Sequence, residues 1–186
     1  MFIEMIEKIN FMKLGSIILI LCIILDSLYS QNSAVNRNNF NLPIKKTSET
    51  IVIDGLLKEK TWQKADRALN FYRILPIDTG FASARTEVMM AYDDLNIYLG
   101  VICHDTLPGK RPVESLRRDF AFGKNDNFIA FIDTYNDQTN GFAFGISAAG
   151  AQWDGIQANG GFVSLEWDTK WKSAVQNFEN HRSEER

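Results

Sequence analysis

Residues 85–103 constrain the fold more than any other part of this chain. They read Arg85-Thr-Glu-Val-Met-Met-Ala-Tyr-Asp-Asp-Leu-Asn-Ile-Tyr-Leu-Gly-Val-Ile-Cys103, two alternating segments on either side of a polar Asp93-Asp94 tip. Side chains on a strand point to opposite faces in turn, so the alternation reads as two strands with one face buried, and the tip as a hairpin turn. One face of the first strand carries Val88, Met90 and Tyr92, the other Glu87, Met89 and Ala91. Cys103 alternates with Ile97, Leu99 and Val101, which places it on the buried face as a small core residue rather than a nucleophile.

Short segments punctuated by turns continue the pattern. Ile51 to Ile53 reads as a strand before an Asp54-Gly55 turn, and Leu56 to Ala65 as one or two helical turns, with Trp62 pinning them to a sheet. Asn70 to Ile74 reads as a further strand. Phe128 to Ile132 is nearly all apolar and predicts a strand covered on both faces. Gly141 to Ser147 returns beside it with Phe142, Phe144 and Ile146 on one face; Trp153 to Ala158 follows, and Trp167 to Gln176 begins one more extended segment. No long helix interrupts this order. The fold class is all-β, a two-sheet antiparallel β-sandwich with one short N-terminal helix.

The ends read differently. Leu14 to Leu25 is an apolar run of 12 residues behind Lys8 and Lys13, with Ser27, Ser30 and Gln31 after it. That is the pattern of a secretory signal peptide spanning residues 1–30, and an exported product in the periplasm, at the outer membrane or secreted is expected. Residues 31–49 read as a flexible leader, residues 50–176 as the sandwich, and residues 177–186 as a polar tail. Without residues 1–30 the chain holds 20 acids and 18 bases, a net charge of −2, and Cys103 as its one cysteine. Such a balance gives no electrostatic reason to expect a nucleic-acid partner, and one thiol excludes an internal disulfide.

Three groups of residues could carry chemistry. Asp133, Asn136, Asp137 and Asn140 offer hard oxygen ligands within eight positions, suited to a structural Ca²⁺, and the same residues suit a turn for backbone reasons. Trp153 between Gln152 and Asp154, and Trp167 between Glu166 and Asp168, combine an indole face with planar polar groups. Sugar C–H faces pack on such rings while hydroxyls bond the polar neighbours; filling a core is the alternative use of the same tryptophans. The polar connection from His104 to Lys124 carries Phe122, a weaker platform, and Arg117-Arg118-Asp119, placed to pair with Asp126. For catalysis, His104-Asp105 stands without a serine motif or a second metal ligand at fitting spacing, and no catalytic residue is assigned.

The order Ile53-Asp-Gly, Trp62, Arg85-Thr-Glu-Val, Tyr92-Asp-Asp-Leu-Asn-Ile-Tyr-Leu, Arg117-Arg118-Asp119, Asp126, Phe131-Ile-Asp133, Gly141-Phe142, Asn159-Gly160, Trp167-Asp168 and Trp171 resembles the family 9 carbohydrate-binding modules over residues 50–176. More closely, it is similar to the amino-terminal region of bacterial proteins that continue into a large domain resembling an outer-membrane β-barrel. The resemblance implies a β-sandwich that binds a polysaccharide or oligosaccharide in the service of carbohydrate catabolism. Any hydrolase label on O-glycosyl bonds would come by association. The family also binds Ca²⁺ structurally. From the aromatic and polar residues themselves, the candidate ligand-binding set is Phe122, Asp126, Gln152, Trp153, Asp154 and Trp167. Phe122-Gly123 stands where the first of two sugar-gripping tryptophans falls, the acidic and basic sugar contacts fall near Ile129 and Gly145, and the second tryptophan falls beyond Arg186. Family members continue past Trp171 with further strands, so the sandwich is expected to lack its last strands, as a truncated product would. The alternative reading is a docking domain of an outer-membrane barrel protein, without sugar affinity.

Overall fold

The alternating hairpin forms the middle of a six-stranded sheet. The structure, a computed structural model, describes residues 40–74, 80–105, 112–178 and 181–185, so the apolar run of residues 14–25 lies outside the described residues. The chain divides into a segment ending at Phe40 and a body that starts at Asn41. In the body, strands β1 (Lys45–Lys46), β2 (Arg67–Ala68), β3 (Thr86–Tyr92), β4 (Ile97–His104), β9 (Ala174–Asn177) and β10 (His181–Glu185) make the first sheet. Strands β5 (Asn127–Ile132), β6 (Gly141–Ser147), β7 (Gln152–Gln157) and β8 (Val163–Ser164) make the second, in that order. The fold is the all-β, two-sheet sandwich that the periodicity predicts, with one five-residue helix, α1 (Lys60–Lys64).

Both faces of β3 are covered. Val88, Met89 and Ala91 are buried, and so is Glu87. Trp62, from α1, is the reason on one face: it packs with Ile51, Met89 and Ala91 at 1% exposure. Gly100 of β4 makes the room, because a Cβ there would meet the Trp62 ring at 3.2 Å and Leu57 at 3.0 Å. At the hairpin tip Asp93 Oδ1 accepts the Leu95 and Asn96 amides, each at 2.7 Å, and Oδ2 accepts the Tyr98 hydroxyl at 2.6 Å. The phenol hydrogen bond, with the backbone amides, holds the Asp93 carboxyl down to about 2.

Several expectations change. Ile51 to Ile53 is not a strand; the Val52 amide donates to Glu59 Oε1 instead of to a ladder. Asn70 to Ile74 contributes one isolated bridge, Tyr72 to Phe81, because Asn70 turns into the left-handed region (φ 59°) just after β2. The segment read as leader reaches into the body. β1 runs parallel to Ala91 and Tyr92 on the same edge of β3 that β2 occupies at Val88 and Met89, and Glu49 accepts the Thr61 amide and hydroxyl, each at 2.8 Å. β5 is half-buried rather than covered on both faces, with Phe131 56% exposed, because it is the edge strand of its sheet. Residues read as a polar tail supply β10, which pairs with both β4 and β9 through the backbone.

The second sheet repeats the device of the first. Trp153 of β7 is buried at 4% exposure among Phe120, Ala143 and Ala151. It lies across from Gly145 of β6, where a Cβ would meet the Trp153 side chain at 3.1 Å. A tight turn, Ser147 to Ala151, sets that register: the Ser147 amide donates to the Ala151 carbonyl at 2.9 Å, and the Ser147 hydroxyl accepts the Ala151 amide at 3.1 Å. Asn177 Nδ2 donates to the Ala148 carbonyl at 2.9 Å, which ties β9 of the first sheet to this turn.

Candidate functional site

Asp154 lies on the face of β7 opposite to Trp153 and is 1% exposed. A buried carboxylate needs its lone pairs filled. Arg118 supplies a charged partner, the Thr169 amide donates to Oδ2 at 3.0 Å, and the Trp171 indole N–H approaches Oδ1 at 3.4 Å. Arg118 also donates to Gln152 Oε1 at 2.9 Å and to the Thr169 carbonyl at 3.0 Å, and meets Asp168 at 2.7 Å. Gln152 Nε2 in turn reaches the Ser173 hydroxyl at 2.9 Å and the Trp171 carbonyl at 3.2 Å. One guanidinium thus fixes the segment from Asp168 to Ser173 against β7.

That segment carries two tryptophans. Trp167 is half-buried with its ring 4.9 Å from Phe142 and 6.0 Å from Phe144, and Trp171 packs edge-on to Phe144 at 5.7 Å. Centroid separations in this range are those of favourable aromatic pairs. Asp168 beside Trp167 is 75% exposed, so a carboxylate held by Arg118 stands in solvent next to a ring held by Phe142 and Phe144.

The sequence-predicted site residues therefore separate. Gln152, Asp154 and Trp167 meet through Arg118 and the 168–173 segment, with Asp154 as a buried brace rather than a solvent-facing contact. Trp153 is not a platform: both its faces are spent on the core. Asp126 is a backbone organiser, its amide donating to the Pro112 carbonyl at 2.9 Å and its carbonyl accepting the Ala148 amide at 2.8 Å. Arg118 goes to Asp154 and Asp168 instead of pairing with Asp126. Phe122 opens a 3-10 turn, Phe122–Lys124, and its side chain lies outside the described part. Sequence reasoning missed Arg118 as the hub and Phe142 and Phe144 as the bed of Trp167.

The proposed calcium ligands form a turn between β5 and β6. Asp133 accepts the amides of Tyr135 and Gln138 at 3.0 and 2.8 Å, and Asp137 accepts the Thr139 and Asn140 amides at 2.9 and 2.7 Å. These bonds let Asn136 and Gln138 hold positive φ, 55° and 62°. Side-chain donation from Asn140, then the backbone amides, depresses the Asp137 carboxyl far below the usual carboxylate range. Asn140 Oδ1 accepts the Asn159 amide at 3.1 Å, so this turn is stitched to the one after β7. Among the described residues no group of three or more His, Cys, Asp or Glu side chains gathers, a grouping that leaves out the Asn side chains and backbone carbonyls that also ligate Ca²⁺.

A second buried carboxylate lies in the first sheet. Glu87 meets Arg67, Arg85 at 3.1 Å and His104 Nε2 at 2.8 Å. Burial pushes its carboxyl up, but the hydrogen bonds from His104 and Arg67 and the charges of Arg67 and Arg85 outweigh burial and hold it below the ordinary value. No helix among the described residues is long and apolar enough to cross a membrane. Comparison with protein-family models and with curated proteins finds no match to this chain.

Proposed function

We propose that this chain is an exported, non-catalytic carbohydrate-binding domain serving polysaccharide breakdown, with Trp167 as its platform. The observation that supports this most is the pairing of Trp167, seated on Phe142 and Phe144, with the exposed Asp168 carboxylate held by Arg118. A sugar ring needs an apolar face for its C–H bonds and a planar acceptor at its rim for its hydroxyls. Both are fixed before binding, so little ordering entropy is lost when the ligand arrives. The resemblance of the quoted motifs to family 9 modules supports the same reading; in it, Phe122 and a Ca²⁺ at the Asp133 to Asn140 turn are accessory.

The test is a fluorescence titration of the protein with xylan, cellulose fragments and short oligosaccharides. Quenching or a blue shift that saturates is expected with at least one of them. No response to any glycan would remove this reading. The competing reading, a docking domain attached to a membrane barrel, is favoured by the hairpin tip. There Ile44, Tyr92, Leu95 and Ile97 line a shallow apolar groove of about 420 Å³, with Leu95 92% exposed.

A further inference from the structure

A groove away from Trp167 has a different chemistry. It measures about 440 Å³ and is lined by Lys45 and Lys46 of β1, Lys60 and Lys64 of α1, Glu49, and the hydroxyl-bearing Thr47, Ser48 and Thr61. Four of the chain's lysines thus gather around one depression in a protein whose net charge is −3. Their counter-charges are unequally shared. Lys45 pairs with Asp66 at 2.8 Å and Lys46 with Asp94. Lys60 and Lys64, four apart on one helix face and both exposed, form no ion pair among the described residues.

Glu49 offsets part of this charge, and the four lysines remain in excess over Asp66, Asp94 and Glu49. Its two oxygens accept the Lys60 amide at 3.3 Å and the Thr61 amide and hydroxyl at 2.8 Å, so the carboxylate is occupied in closing the start of α1. The Thr61 hydroxyl bond first, and the Lys60 charge among lesser causes, holds that carboxyl below its ordinary value. The Thr47 hydroxyl lies 2.7 Å from that of Thr61 and accepts the Glu49 amide, which fixes the floor between the two lysine pairs. Beneath it, Trp62 anchors α1 to the sheet, so the lysines project from a rigid base.

We infer that this groove binds an anionic saccharide, a carboxylate- or sulfate-bearing stretch of chain, with Lys60 and Lys64 as the principal contacts. The ammonium groups supply point charges for the anions, and the exposed Ser48 hydroxyl bonds sugar hydroxyls. The saccharide half of this assignment rests on the proposed function; the charge half does not.

The experiment is calorimetric titration of the full chain with three probes: oligogalacturonate, a sulfated oligosaccharide and a neutral xylo-oligosaccharide, each at low and at physiological salt, with tripolyphosphate as a non-sugar anion. The parent protein is expected to bind at least one acidic oligosaccharide more tightly than tripolyphosphate, with affinity falling as salt rises. The double variant Lys60→Gln/Lys64→Gln is expected to weaken that binding at least about fivefold. Glutamine keeps the helix propensity, so an unchanged far-UV spectrum and melting temperature will certify the fold. Lys58→Gln, an exposed lysine outside the groove, is expected to leave acidic-oligosaccharide binding intact. Equal binding by parent and double variant, or no acidic probe bound, would overturn the site. Tripolyphosphate binding as tightly as every acidic sugar would overturn the saccharide assignment alone. Loss of neutral-glycan binding in Trp167→Ala bears on the proposed function and not on this groove.

Discussion

The two sheets use the same parts and differ in where those parts lead. Each seats one tryptophan over a glycine, Trp62 over Gly100 and Trp153 over Gly145, and each buries one carboxylate, Glu87 and Asp154. In the first sheet the carboxylate gathers Arg67, Arg85 and His104 around itself. In the second, Arg118 carries the network outward to Asp168 and Trp167. A buried ion pair is weak evidence for stability but a good device for holding a surface group in place. The difference teaches that the Asp154 network positions something exposed, while the Glu87 network braces a core.

The strongest way to break this comparison is to remove the anchors. Trp62→Ala and Trp153→Ala should each destabilise the fold by about 3–5 kcal/mol, since both rings are fully packed and leave a cavity. Trp167→Ala should cost less, about 1–3 kcal/mol, its ring being only partly buried. Urea unfolding of the three variants checks this, and a Trp167 cost equal to that of Trp153 would erase the distinction.

Next in size are the carboxylates. Asp154→Asn leaves Arg118 without its buried partner and should destabilise by about 2–3 kcal/mol, below the usual figure because Arg118 is one-third exposed. It should also loosen Trp167 and weaken glycan binding. Glu87→Gln should cost about 1–2 kcal/mol, because Arg67 and Arg85 can turn to water, and should leave glycan binding unchanged. The two variants compared by melting and by glycan titration therefore separate a positioning role from a bracing one.

The smallest effect is in acid. Glu87 and Asp93 both have folded values below their ordinary 4.5 and 3.8. Their stabilisation is complete above the unfolded values and is lost as pH falls through the folded ones. Stability of the first sheet should stay level from neutral pH to about 5 and decline below 4.5, and the Asp93 carboxyl followed by NMR should titrate near 2. An Asp93 midpoint at its ordinary value would remove the Tyr98 bond from the account.

How much of this was legible follows from where the partners lie in sequence. The hairpin of β3 and β4 was readable because its partners are adjacent and its faces alternate. Trp153 was harder: Gln152 and Asp154 beside it resemble the polar rim of a sugar platform, and only the register across the Ser147 to Ala151 turn shows Gly145 beneath the ring. Trp167 also has polar neighbours, Glu166 and Asp168, but rests on Phe142 and Phe144, far back in the chain. Arg118 was read as a loop brace because its true partners Asp154 and Asp168 are distant. β10 escaped because a strand held by backbone pairing between two others needs no apolar alternation.

The most direct measurement is a pair of fluorescence titrations with the best neutral glycan, on Trp153→Phe and Trp167→Ala. The account predicts that Trp153→Phe keeps the parent's binding while Trp167→Ala loses it by tenfold or more, about 1.4 kcal/mol. Binding kept by Trp167→Ala and lost in a folded Trp153→Phe would contradict it.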